Sequence, residues 1–248
     1  MERHVVALLC RTSERDGQAA AGTRELAELL GARIIGSAGE PRAAAGHLDD
    51  LRDAHGCLLE AGGQIDDALE AGRVPILLAG ECSVCISTLP VVVRRRPGMR
   101  VLWLDAHPDF NTPDTSASGY LGGMCLAGAC GLWDTGFGAG LDPARVIMFG
   151  VRDVDGPERV ALDRSGVHRL GDPAQLEGME LFVHLDLDVL DPEFHPARVP
   201  APLGLAPPAL HEVLAFVAGQ ATLVGAQITS AAPGYAQVAA GAIAPLLA

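Results

Sequence analysis

Cationic residues, aromatic residues and long apolar runs are all scarce in this sequence of 248 residues. Lysine and arginine number 18 against 31 acidic residues, which gives a formal net charge of −13. Because nucleic-acid binding depends on cationic side chains that neutralise phosphates, we expect no nucleic-acid partner. No apolar run approaches the ~20 residues that a membrane helix needs, so we expect no membrane-spanning segment either.

A secretory signal and a disulfide-rich cysteine pattern are also missing. The apolar stretch after Met1 is brief and no cleavage site follows it, which is typical of a first strand rather than a signal peptide. We therefore expect a cytoplasmic protein whose six cysteines are thiols. Cys82 and Cys85 form a Cys-x-x-Cys pair, but the absence of a second pair argues against a structural zinc or redox centre.

Aromatic residues make up only 4% of a chain that is 49% hydrophobic, so the core must be built from Val, Leu, Ile and Ala. That composition suits a parallel sheet buried on both faces. Apolar runs alternate with amphipathic or Ala-rich segments, which predicts a single α/β domain over 1–248 with three αβα layers and a mostly parallel central sheet. Strands are predicted at 4–10, 33–36, 74–80, 100–105, 145–150, 181–188 and 222–228. Helices are predicted at 17–31, 43–62, 64–71, 83–95, 123–131, 157–164, 207–219 and 235–247.

Acidic residues follow two of the predicted strands in an alternating pattern. Asp105, His107 and Asp109 share one face of an extended segment, and Asp186 and Asp188 share another. A lone Asp-x-His or Asp-x-Asp is more often a solvated loop. Two such runs, each at the end of a buried strand where ligand sites of parallel sheets form, favour divalent metal ions of the Mn²⁺ type.

The segments Asp105-Ala106-His107-Pro108-Asp109-Phe110-Asn111 and Asp186-Leu187-Asp188-Val189-Leu190-Asp191-Pro192 resemble two signature motifs of the arginase, or ureohydrolase, family. The turn Ala79-Gly80-Glu81-Cys82-Ser83 resembles the third. The resemblance runs from about residue 74 to 233 and implies an arginase-like fold with a pair of divalent metal ions, most simply Mn²⁺. It implies that one ion is held by Cys82, Asp105, Asp109 and Asp186, and the other by Asp105, His107, Asp186 and Asp188.

Cys82 departs from this family pattern, which has His at the same position. A thiolate also binds divalent ions, but it is softer and carries a negative charge. The substitution therefore makes Zn²⁺ possible at this site. The alternative is that Cys82 is a buried thiol beside a loosely held ion.

The loop after the first motif resembles the arginase loop that binds the α-carboxylate of an amino acid, and this implies that Asn111, Ser116 and Ser118 bind substrate. By the same resemblance, Asp155 and Glu158 contact the α-amino group. As isolated patterns these segments are ordinary turns. Beside the metal motifs they favour an α-amino-acid substrate.

Two further departures concern the reacting end of the substrate. Gly122 stands where the family has a proton-shuttling His, and Ser230 stands where it has a Glu that grips the guanidinium. Loss of both groups disfavours ordinary arginine. The sequence resembles most the branch that hydrolyses Nω-hydroxy-L-arginine to L-ornithine and hydroxyurea, which also has Cys at the first ligand position.

Asp109, besides its ligand role, and His184 are the candidate catalytic residues. His184 lies two residues before Asp186 on the same strand face, where it is either a substitute acid or a hydrogen-bond partner of the ligands. Two other readings remain open: a non-catalytic binding or assembly protein with the same fold, and a hydrolase of formyl or formimino amino acids. The resemblance also implies a homo-oligomer.

Overall fold

The computed structural model describes residues 2–40 and 46–248. All eight strands form one sheet, and every pair of neighbours is parallel. This confirms the predicted sheet, and the assignment of the whole chain to a single domain remains a prediction. The strands are β1 Arg3–Leu8, β2 Arg33–Ile35, β3 Val74–Ala79, β4 Arg100–Leu104, β5 Val146–Phe149, β6 His168–Arg169, β7 Glu180–Asp186 and β8 Thr222–Thr229.

Seven helices cover the two faces of this sheet. One apolar cluster packs under α2, α3 and α4, and the other under α1, α6 and α7. Because both faces are buried, the central strands are almost continuous runs of aliphatic residues, as in the fully buried β3. The helices are α1 Gln18–Leu30, α2 His47–Glu70, α3 Cys85–Arg95, α4 Cys125–Ala129, α5 Gly156–Ser165, α6 Pro207–Gln220 and α7 Ala236–Leu247.

The predicted break between helices at 62 and 64 is wrong, because α2 is one continuous helix of 24 residues. A Cβ at Gly62 would lie 3.4 Å from the Ser87 carbonyl oxygen, so glycine permits a close approach of α3 here and does not end the helix. Residues 43–45 of the predicted helix lie outside the described residues. The two-residue strand β6 was not predicted, since so short an edge strand has no periodicity of its own.

The prediction that all six cysteines are thiols is also wrong. Cys10, just after β1, is joined to Cys57 of α2 by a disulfide, with 5.9 Å between their Cα atoms. The pair is 47 positions apart in sequence and meets only because α2 packs across the end of β1. The remaining four cysteines are free: Cys82, Cys85, Cys125 and Cys130.

Strand order decides which loops meet. The sheet runs β2-β1-β3-β8-β7-β4-β5-β6, so β3, β8, β7 and β4 are neighbours although they are distant in sequence. Their carboxyl ends point to the same edge, where ligand sites of parallel sheets form. Within residues 2–40 and 46–248, none of the helices combines the length and apolar character needed to cross a bilayer.

Candidate metal centre

The predicted ligands follow three of these neighbouring strands directly. Cys82 comes after β3, Asp105 follows the last residue of β4, and Asp186 is the last residue of β7. The turn after β3 passes close to α1, where a Cβ at Gly80 would be in ordinary van der Waals contact with Ala19. The fold thus brings together all six predicted ligands (Cys82, Asp105, His107, Asp109, Asp186 and Asp188) along one cavity.

Asp105, His107 and Asp188 form the first group of metal-ligand atoms, all within 4.8 Å of one another. His107 Nδ1 lies 2.9 Å from Asp188 Oδ2 and 3.5 Å from Asp105 Oδ1. Burial lowers the pKa of His107, but hydrogen bonds and charge from Asp105 and Asp188 outweigh it and raise the pKa to about 12. Without a metal, the imidazolium is therefore the local counter-ion of these carboxylates.

Cys82, Asp105 and His184 form a second group within the same 4.8 Å limit. The Cys82 thiol donates to Asp186 Oδ2 at 2.7 Å, and its Sγ lies 3.9 Å from Asp105 Oδ2. Burial first, and then the charges of the neighbouring aspartates, raise the pKa of the Cys82 thiol well above its usual value. A divalent cation is the natural agent that would favour the thiolate here.

His184 was not predicted as a ligand, yet its Nε2 faces this group at 3.5 Å from Asp105 Oδ2. The ring is fully buried and stacks on Trp103 at 3.6 Å between ring centroids. Nδ1 is 2.7 Å from the Gln227 amide, while Nε2 is buried without a hydrogen-bond partner. An imidazole nitrogen left open beside a carboxylate and a thiol is suited to a metal.

Asp109 and Asp186 complete the carboxylate cluster. Asp109 has a positive φ of 49°, a conformation that is rare for residues other than glycine and turns its carboxylate back toward the cavity. Burial is the main cause that raises the pKa of Asp109 and Asp186, followed by the charge of Asp105 and of Asp188, respectively. Burial and the charge of Asp105 raise the pKa of Asp188 to about 6.

These residues fit a pair of divalent metal ions. Each of the four aspartates is at most 6% exposed. In the described part of the chain, the ionisable nitrogen atoms at salt-bridge distance from these four carboxylates come only from His107 and His184. Buried carboxylates without matching cations cost free energy. Metal ions would remove that cost for the four carboxylates, which are those of Asp105, Asp109, Asp186 and Asp188.

Three of the predicted substrate-binding residues form a connected group beside the carboxylates. Asn111 Nδ2 donates to Asp155 Oδ2 at 2.9 Å, and Asp155 Oδ1 caps α5 by accepting from the Glu158 amide at 2.9 Å. Glu158 Oε1 accepts from the Phe110 amide at 2.8 Å. Burial and the charge of Asp155 raise the pKa of Glu158 to about 7. Asn111 Oδ1 is buried without a hydrogen-bond partner, which leaves an acceptor for a ligand.

The three predicted serines are placed differently. Ser230 lines the cavity and donates to Asp186 Oδ2 at 2.5 Å. Ser116 and Ser118 do not line it, because their hydroxyls accept from the Gly119 and Tyr120 amides, respectively, within their own loop. Of the ten other predicted site residues, only His184, which lies behind Asp105, is absent from the cavity lining. The nine that line the cavity are Cys82, Asp105, His107, Asp109, Asn111, Asp155, Glu158, Asp186 and Asp188.

A second set of side chains faces the metal ligands and was missed by the sequence reasoning. We call Glu81, Tyr120, Gly122 and Arg198 the Tyr120 wall; all four line the cavity, whose volume is about 260 Å³. The Tyr120 hydroxyl donates to Glu81 Oε1 at 2.7 Å, and Arg198 Nη2 lies 3.2 Å from the same oxygen. The only sequence signal was the departure at Gly122, since Arg198 is 117 positions from Glu81.

Comparison of this chain with known proteins leads to the same family as the motifs. The family model of the arginase family matches residues 43–247. A N(omega)-hydroxy-L-arginine amidinohydrolase from Streptomyces lavendulae is 36% identical over 224 residues, covering 84% of this chain and 80% of the relative. An arginase from Bacillus caldovelox is 34% identical over 155 residues, covering 53% of this chain and 52% of that relative.

Solved structures show the same fold. The Bacillus caldovelox arginase structure has a TM-score of 0.78 at 24% identity, covering 99% of this chain and 98% of the other. The Entamoeba histolytica arginase, solved in complex with L-ornithine, has a TM-score of 0.83 at 19% identity, with 99% of both chains covered. The fold predicted from the sequence is thereby confirmed as arginase-like.

Proposed function

We propose that this chain, which belongs to the arginase family, is a dinuclear metal hydrolase that converts Nω-hydroxy-L-arginine to L-ornithine and hydroxyurea. One observation carries the proposal: two groups of metal-ligand atoms share Asp105 at a cavity that is large enough for an amino acid. The name of the Streptomyces lavendulae relative supports the choice of substrate.

The metal ions are proposed to be Mn²⁺, with Zn²⁺ as the alternative beside Cys82. Asp105 and Asp186 would be shared between the two ions, Cys82 and Asp109 would belong to one, and His107 and Asp188 to the other. When bound, such a pair lowers the pKa of a water molecule and thus supplies a nucleophile near neutral pH. His184 would add a nitrogen ligand on the Cys82 side, where its unpartnered Nε2 points.

The protein residues bind and orient the amino acid. Asp155 and Glu158 provide carboxylate oxygens for the α-amino group, and Asn111 Oδ1 adds an acceptor beside them. Ser116 and Ser118 are proposed to contact the α-carboxylate, for which their loop would have to release its internal hydrogen bonds. Fixing the α-amino and α-carboxylate groups anchors one end of the amino acid and thereby helps to position the guanidine carbon at its other end, which contributes to rate acceleration.

In the overall reaction, the water oxygen bonds to the guanidine carbon and the bond from this carbon to the ornithine nitrogen breaks. That nitrogen leaves with the bonding electrons and takes up a proton, while the carbon departs in hydroxyurea. Asp109 lines the cavity beside the proposed ions, and this position supports it as the candidate catalytic residue. His184 is absent from the cavity lining, which favours its ligand role over direct proton transfer to substrate.

The test is reconstitution of the purified, metal-free protein with Mn²⁺ or Zn²⁺, followed by metal analysis and product identification. We expect about two ions per chain, and ornithine with hydroxyurea from Nω-hydroxy-L-arginine at a higher kcat/KM than ornithine with urea from arginine. Two bound ions with no product from either substrate would contradict the activity. Release of formamide from a formimino amino acid would instead identify the other C–N hydrolase reading.

We further propose that the protein is a cytoplasmic homo-oligomer. The family resemblance is the support for this assignment. Sedimentation of the metal-loaded protein at several concentrations should give a mass that is a multiple of 25.7 kDa. A concentration-independent mass of one chain would contradict it.

A further inference from the structure

The ring of Tyr120 occupies the space beside Gly122. A Cβ built on Gly122 would lie 2.5 Å from Tyr120 Cε1 and 2.8 Å from its Cζ, closer than real Cβ contacts come. The φ angle of Gly122 is not in the left-handed region, so steric space and not backbone conformation requires glycine here. Neighbouring Gly123 has open space where its Cβ would be. Gly122 and the inward-turned Tyr120 ring therefore depend on each other.

Glu81 and Arg198 fix the orientation of this ring. The phenol donates to Glu81 Oε1, and the Arg198 guanidinium lies 5.0 Å from the ring centroid while it contacts the same carboxylate oxygen. Glu81 is itself immobilised, since its Oε2 accepts from the amides of Ser13 and Glu14 at 2.7 and 2.9 Å. The phenol hydrogen is directed to Glu81, and Arg198 also interacts with the Tyr120 side chain. Because a phenol oxygen has two lone pairs, it can still accept one further hydrogen bond from a ligand.

Arg198 also brings a permanent positive charge to the cavity. It is partly buried and its single carboxylate partner is shared with Tyr120. Because Glu81 is already paired with Arg198, a charged guanidinium that entered this half of the cavity would find the Glu81 carboxylate engaged and would meet a like charge beside it. A neutral guanidine derivative would not incur this cost.

We propose that Tyr120 and Arg198 are specificity-determining residues that select an uncharged N-hydroxyguanidine over a guanidinium. Tyr120 accepts the hydrogen bond of the substrate N–OH group, and Arg198 excludes the charged competitor. The inference rests on the proposed function and adds the basis of its selectivity. A site built to hydrogen-bond a hydroxyl discriminates against a substrate that lacks it, because its polar group is then left unpaired.

Substrate preference tests the two residues separately. Tyr120→Phe should lower kcat/KM for Nω-hydroxy-L-arginine about tenfold and leave that for arginine within about twofold. Arg198→Gln should raise kcat/KM for arginine about tenfold, because the cation is removed and Glu81 is freed. Arg198→Lys keeps the charge and should not raise it. Tyr235→Phe, at the only other tyrosine and outside the cavity lining, is the matched control and should change neither value.

Thermal unfolding of the metal-loaded protein tests the close packing of the Tyr120 ring against Gly122. Gly122→Ala should lower the unfolding midpoint by about 3–8 °C, whereas Gly123→Ala should shift it much less. In a Tyr120→Ala background, Gly122→Ala should lower the midpoint much less than it does alone, because the ring that a Cβ would meet is gone. Additive effects of the two substitutions would overturn the claim that they share one space.

Failure of this inference is distinguishable from failure of the proposed function. If Tyr120→Phe weakens both substrates equally, or Arg198→Gln leaves their ratio unchanged, the selectivity assignment is wrong while the reaction stands. If the unmodified protein turns over neither substrate, the proposed function is wrong. Calorimetric Kd values for the same two compounds then test selection without turnover, and equal ratios in all variants would overturn it.

Discussion

The two sides of the cavity differ in how closely their residues match the family motifs. On the metal side, Asp105, His107, Asp109, Asp186 and Asp188 keep the family motifs and converge from strand ends. On the opposite side, the Tyr120 wall carries a cation, a phenol and a glycine that no family motif predicts. In the function and selectivity that we propose, the metal side activates water and the Tyr120 wall selects the substrate. The difference teaches that these two tasks can be assigned to separate sets of residues.

The sharpest way to break the metal side is Asp186→Asn. Asp186 Oδ2 accepts hydrogen bonds from Cys82, Thr229 and Ser230, and its carboxylate is the proposed bridge between both ions. We expect loss of bound metal and a fall in kcat/KM of about 10³-fold or more, as when a residue that acts as part of a unit is removed. Metal analysis and turnover measure this. The exposed Asp163→Asn should match the unmodified protein, and full metal content in Asp186→Asn would contradict the bridging role.

His184→Asn tests whether His184, which lies behind Asp105, is also a metal ligand. If His184 is a ligand, metal affinity on the Cys82 side should fall about 10–100-fold. A titration of metal-free protein with Mn²⁺ or Zn²⁺, followed by calorimetry, would show one of two binding steps weakened. The exposed His211→Asn is the control. Unchanged affinity together with a lower kcat would instead favour the role of a catalytic acid.

Cys82→His replaces the ligand that differs from the family pattern with the His that the family has at this position. The imidazole is a harder, neutral ligand, so the affinity ratio should move from Zn²⁺ toward Mn²⁺ by about tenfold. Competition between the two ions, measured by metal analysis after dialysis, gives this ratio. The Cys130→Ser variant, which removes a thiol outside the cavity lining, should leave the ratio alone. A shift of the same size in both variants would show that the Cys82 thiol has no special role at the metal.

The smallest effect concerns Glu14, which lies behind the Tyr120 wall. Burial and the charge of Glu81 raise its pKa to about 7. Because the folded state holds this proton more tightly than the unfolded chain, stability falls as pH rises from about 4.5 to about 7, and the loss is complete above that range. Glu14→Gln cannot ionise, so it should raise the free energy of unfolding by about 1 kcal/mol at pH 8 and have little effect at pH 5. Denaturant unfolding at both pH values measures this, and an equal effect at both would contradict it.

Local pattern was sufficient to predict where the two acidic runs of the metal side lie in the fold, whereas the complete ligand set came from the family resemblance and stays a prediction. Alternating acidic residues directly after aliphatic strands place Asp105 and Asp186 at strand ends, whatever the remaining chain does. The Tyr120 wall could not be predicted in this way, because Arg198 reaches Glu81 through loops without periodicity. The position of His184 beside Cys82 and Asp105, from which we propose a ligand role, was equally hidden, since it depends on β4 lying beside β7 with Trp103 opposite His184. The disulfide between Cys10 and Cys57 required the packing of α2.

The strand order has a consequence for folding while the chain is being synthesised on the ribosome. Cys82 and Asp105 emerge early, but β8, which lies between β3 and β7, is the last strand to be made. Until Thr229 has left the exit tunnel, Cys82 has no completed sheet that carries it to Asp186. A chain that stops before β8 can still pair β4 with β7 and bring Asp105 and His107 to Asp188, but it lacks the strand that joins β3, and with it Cys82, to β7. The Cys82 side of the proposed metal centre is therefore completed only when translation has reached the final strand.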